Sequence, residues 1–80
     1  MENYQLKLRV LYSEKNVPGG EIIESFLAKG DQAALKLVEE ILLPLLKERL
    51  KRDTSIACAE TMWNLVKLPH PVLIKSGSMV

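Results

Sequence analysis

The sequence predicts a mostly α fold with one N-terminal strand, completed by a C-terminal helix and an extended tail. Three observations lead there. Gln5, Lys7 and Arg9 alternate with Leu6, Leu8 and Val10, the two-residue period of a strand with one polar and one apolar face. Ile22, Ile23, Phe26 and Leu27, and then Ala34, Leu37, Val38, Ile41, Leu42 and Leu45, fall at three- and four-residue spacing, the period of amphipathic helices. A capping cluster of Asp53, Thr54 and Ser55 precedes Ile56, Ala59, Met62, Trp63 and Val66 at the same spacing.

From Tyr4 to Tyr12 every even position is apolar or aromatic, so the strand is read as half-buried. An isolated strand is unstable in water, so something must pair with it. Ser13 to Asn16, then Val17, Pro18, Gly19 and Gly20, carry turn chemistry, proline fixing its φ and the glycines freeing theirs. A short helix is expected over residues 21–29, with Glu21 in its first turn and Gly30 as its stop. Asp31 is expected to cap the next helix. Pro44 lies inside that helix, where the missing N–H and the ring clash predict a kink or restart, and Lys47, Arg49, Lys51 and Arg52 give it a basic end. A third helix is expected over residues 53–67. Leu68 to Pro71 must be extended, because residues before proline leave the α region. Val72, Leu73 and Ile74 can form a short strand, and Ser76 to Val80 read as a loose end.

Eighty residues make one domain near the lower limit for folding alone. With 48% hydrophobic residues and four aromatics, the core is aliphatic, and a second copy is a common way to complete such a core. Eleven basic against ten acidic residues give a net charge of +1, which excludes nonspecific coating of nucleic acid and leaves only a local patch. The single cysteine, Cys58, excludes an internal disulfide, and one histidine, His70, excludes a Cys/His zinc site. No apolar run approaches bilayer length and no signal segment is evident; a cytoplasmic protein without cofactor or membrane association is expected.

Strand, turn, short helix, Gly30 turn and longer helix together resemble the ribbon-helix-helix DNA-binding family, the class of the Arc and methionine repressors. The resemblance rests on Gln5-x-Lys7-x-Arg9, Ile22, Ile23, Phe26, Gly30, Leu37, Val38, Ile41 and Leu42. It divides the chain into residues 1–52, a dimerisation and DNA-binding region, and residues 53–80, a helix and tail for oligomerisation or partner binding. It implies a homodimer whose paired strands enter the major groove of double-stranded DNA, with Gln5, Lys7 and Arg9 at base edges and the backbone amides of Asp31, Gln32 and Ala33 at phosphates. A transcriptional repressor or plasmid-maintenance factor would follow. Asp31 departs from the family, which often has Ser, Thr or a basic residue there.

Two alternatives stand beside this reading. The strand could pair with Val72 to Ile74 of its own chain, which removes the need for a strand-paired dimer. The protein could also be an interaction module or an antitoxin, binding a partner through Trp63 and Met62 if exposed and through Val72, Leu73 and Ile74 added to a partner's sheet. Cys58 reads as a packed thiol and His70 as a loop residue. No enzyme signature is present: there is no Gly-rich phosphate loop, no paired carboxylates in an evident cleft and no nucleophile beside a base.

Overall fold

A computed structural model describes residues 1–12, 19–53 and 58–78. Four strands form an antiparallel sheet: β1 (Glu2–Tyr12), β2 (Gly20–Ala28), β3 (Cys58–Lys67) and β4 (Val72–Ser78), in the order β2-β1-β3-β4. Between β2 and β3 the chain is helical: α1 (Asp31–Leu37), a π-helical turn (Val38–Leu42) and α2 (Leu43–Asp53). The fold is therefore a strand-dominated sheet with one helical layer. This corrects the expectation of a mostly α fold with a single strand.

The alternation in β1 is as the sequence indicates. Tyr4, Leu6, Leu8 and Val10 are at most 2% exposed, while Lys7 and Arg9 are exposed on the opposite face. What differs is the partner. Both edges of β1 are taken within the chain, by β2 (Leu6 opposite Glu24, Leu8 opposite Ile22) and by β3 (Leu6 opposite Leu65, Leu8 opposite Trp63). A ribbon shared by the β1 strands of two copies needs a free edge on that strand, so the ribbon-helix-helix homodimer does not fit this fold.

The two misread segments share a cause. In β2 the even residues Ile22, Phe26 and Ala28 turn toward the helix, whereas Ile23 and Leu27 turn away and are 50% and 56% exposed. Apolar residues on both faces erase a strand's alternation and leave a pattern that also fits a helical stripe. In β3, Thr61, Trp63 and Leu65 are buried while Met62 and Asn64 are exposed; the β-branched and aromatic content suits a pleated surface, and pairing with β1 decides the outcome. Leu68 to Pro71 form the turn to β4, with a cis Leu68–Pro69 bond. Ser76 to Ser78 belong to β4, not to a loose end. The turn residues 13–18 and the capping residues Thr54 and Ser55 lie outside the described residues.

The helix predicted from Asp31 is present, but its N-cap is Gly30, with no side-chain cap. Asp31 instead accepts a 2.7 Å hydrogen bond from the Tyr4 hydroxyl, tying the helix start to β1. The disturbance expected at Pro44 takes the form of the π turn immediately before α2. Proline lacks an N–H and crowds the carbonyl four residues earlier, and a widened turn relieves both. It also sets the packing. In an unbroken α-helix Leu46 would sit roughly 120° around the axis from Ala34, at about 100° per residue. One residue absorbed in the wide turn takes most of that back, so Ala34, Val38 and Leu46 all reach the sheet and are buried.

The core lies between the helix and one face of the sheet, and includes Tyr4, Leu6, Leu8, Val10, Ala34, Val38, Leu46, Trp63 and Leu65. Tyr4 stacks on Phe26 at 5.9 Å, and Lys75 of β4 reaches Glu39 of the helix at 3.5 Å. One helix is a single layer on one side; among the described residues nothing covers the other, open face of the sheet.

Candidate functional site: the open sheet face

Because opposed residues in an antiparallel ladder point to the same side, the register fixes what the open face displays. One row across the strands runs Glu21, Arg9, Met62; the next Ile23, Lys7, Asn64; the next Ser25, Gln5, Val66, Leu73; and Leu27 lies beside Asn3. A polar column along β1 is thus flanked by apolar groups, with Ile23, Leu27, Met62 and Leu73 each half or more exposed. The face combines apolar surface with two centrally placed cations.

Arg9 and Glu21 form an exposed ion pair at 3.4 Å, a contact worth little in water. Among the described residues no carboxylate pairs with Lys7. Lys7, Arg9, Glu21, Met62 and Asn64 bound a shallow depression of about 140 Å³. Its chemistry is that of a surface able to accept an acidic group among apolar contacts. Among the described residues no group of three or more His, Cys, Asp or Glu side chains is placed to hold a metal ion, and no described helix is long and apolar enough to cross a membrane.

Gln5, Lys7 and Arg9 therefore do share an outward face, but Asp31, Gln32 and Ala33 do not join them. The Asp31 contact with buried Tyr4 sets that helix start on the core side of the sheet. The base-reading and phosphate-positioning sets implied by the family resemblance lie on opposite sides of the sheet and cannot meet one duplex together. Trp63, expected to anchor a partner if exposed, is 5% exposed and belongs to the core. Val72 and Leu73 are 55% and 59% exposed on the edge strand, while Ile74 packs partly against the core.

Sequence reasoning missed Ile23, Leu27 and Val66 on the open face and considered Met62 there only as an exposed anchor beside Trp63. The available signal was the apolar pair Ile22–Ile23 followed by Phe26–Leu27, which in an extended chain serves two faces at once. The environment of Tyr4 is set by the core side. Burial, then the hydrogen bond and charge of Asp31, then the charge of Glu2, push its phenol up to about 12. No protein-family model, curated protein or solved structure matches this chain.

Proposed function

We propose that this protein is a protein-interaction module whose partner seats on the open sheet face, and that it is cytoplasmic and performs no catalysis. One observation carries the reading: Ile23, Leu27, Met62 and Leu73 stand exposed around Lys7 on the side of the sheet that the helix leaves uncovered. Exposed apolar surface rimmed by polar groups marks interaction sites, and a sheet with one bare face gains from a second layer. The chemistry fits a partner surface that is apolar and presents a carboxylate to Lys7. The reading is tested by affinity capture from the cells that make the protein, using wild type and an Ile23→Asp/Met62→Asp variant. Both substitutions lie outside the core, so circular dichroism should show both proteins folded. Proteins retained by the wild type should be lost by the variant; identical eluates from two folded baits would end the proposal.

A second reading, binding of double-stranded DNA by a repressor or plasmid-maintenance factor, is favoured by the shared exposure of Lys7 and Arg9 beside Gln5. Width weighs against base readout: three strand spacings of about 4.8 Å exceed the roughly 12 Å major groove once side chains are added. Stacking on single strands has no support either, since all four aromatics lie in or against the core. Titration with genomic fragments at two salt concentrations tests it. A steep loss of affinity with salt, reduced by Lys7→Ala, would favour DNA.

A further inference from the structure

We infer that β2 is a self-association edge, on which a second copy of this chain adds its own β2 antiparallel about a two-fold axis at Ser25. The inference shares Ile23 and Leu27 with the open face but needs no other protein. β2 is the outer strand of the sheet and no described strand pairs with its far side, which presents a row of backbone donors and acceptors to another strand. A two-fold pairing must set core-facing residues against core-facing ones, and this leaves few registers. Centred on Glu24, the half-buried carboxylates of the two copies would oppose each other, a destabilising like-charge pair. Centred on Ile23, the exposed Leu27 would face Gly19 and Glu21 would face Ser25.

Centred on Ser25, every solvent-side position finds a suitable partner. Ile23 meets Leu27 of the second copy, so the two exposed apolar residues of the open side of β2 cover each other. Glu21 meets Lys29 of the second copy, one residue past the strand end, and extends the Arg9–Glu21 pair into a three-charge ladder. On the core side Ile22 meets Ala28 and Glu24 meets Phe26. The other edge offers no such match, because β4 carries Lys75 and no acid.

A second feature singles out the same side of the molecule. Glu39 reaches toward β4 through Lys75, so the opposite flank of the helix points away from β4. That flank carries Leu37, Ile41 and Leu45 at four-residue spacing, the last two 49% and 62% exposed. On the core side of β2, Ile22, Glu24 and Phe26 are only half-buried. A strand added to β2 would leave them less exposed.

The test reads register directly. Residues opposed in an antiparallel pair have Cα atoms about 4.5–5.5 Å apart, within the roughly 4.4–6.8 Å that a disulfide spans. Under mild oxidation Ser25→Cys should give a disulfide-linked dimer, well ahead of Ile23→Cys and of wild type with its native Cys58. Sedimentation equilibrium carried to millimolar protein should show a weak wild-type dimer. Glu21→Lys should weaken it about tenfold or more, and Glu21→Lys combined with Lys29→Glu should restore it. A wild type that stays monomeric throughout, or equal crosslinking at Ile23→Cys and Ser25→Cys, would overturn the inference. Since no other protein enters the experiment, its failure leaves the open-face reading untouched.

Discussion

Gly77→Ala is a single-methyl probe of the β3–β4 ladder. Gly77 lies opposite Trp63, and a Cβ added there would fall 2.9 Å from three atoms of the indole ring. The ring is rigid and only 5% exposed, so it cannot swing aside as a flexible chain end would. Overpacking of this kind costs about 1–3 kcal/mol. The backbone does not oppose alanine, since no glycine among the described residues has positive φ. Restricting the unfolded chain returns about 0.4–1 kcal/mol, and the clash wins, for a net loss of about 1–2 kcal/mol. Urea unfolding followed by fluorescence measures it cleanly, because Trp63 is the only tryptophan. A double-mutant cycle with Trp63→Leu, followed by circular dichroism because those variants lack the tryptophan, should recover most of the penalty, as the smaller side chain vacates the space. If Gly77→Ala changes stability by less than about 0.5 kcal/mol, the level of an ordinary surface substitution, and leaves Trp63 emission unaltered, Trp63 does not pack on β4.

Other substitutions probe the remaining contacts. Tyr4→Phe removes the hydroxyl bonded to Asp31 and should cost about 1 kcal/mol in denaturant unfolding. In the wild type the folded state holds the phenol neutral up to about 12 while the unfolded chain ionises near its ordinary value; this contribution is complete below about pH 10 and is lost as pH rises toward 12. The loss should be smaller in Tyr4→Phe. Leu46→Ala and Leu45→Ala differ by one position in α2, but Leu46 is 6% exposed and Leu45 62%. The first should lower stability by about 2–4 kcal/mol and the second by under about 1 kcal/mol; equal losses would mean that the π turn does not set the phase of α2. Arg9→Ala should stay within about 0.5 kcal/mol of wild type, because its pair with Glu21 is exposed.

The parts of the fold legible in the sequence are those where one periodicity excludes the other. β1 alternates without exception at its buried positions, and residues 34–45 repeat as only a helix can, so both faces of β1, the helix start near Asp31 and the disturbance at Pro44 follow from residue order. Val72 to Ile74 read correctly as a strand, a short run of apolar, largely β-branched residues after a proline turn. β2 and β3 were illegible for a physical reason. Ile23, Leu27, Met62 and Val66 put apolar side chains on the solvent side, and each strand then satisfies a helical spacing as well. The residues that conceal these strands are also those that make the open face a candidate site. The fold expected from the family resemblance failed at the same point, because it needed residues 21–29 to be helical and β1 to keep a free edge.

The central ladder of the sheet joins segments from opposite ends of the chain, with Leu6 against Leu65. Closing so large a loop costs entropy before any contact offsets it, and topologies dominated by distant pairings fold slowly. During synthesis the first hairpin, and the helix that follows it, therefore wait with one edge of β1 unpaired until β3 arrives. That interval, more than the finished architecture, is when this small protein is most exposed to aggregation.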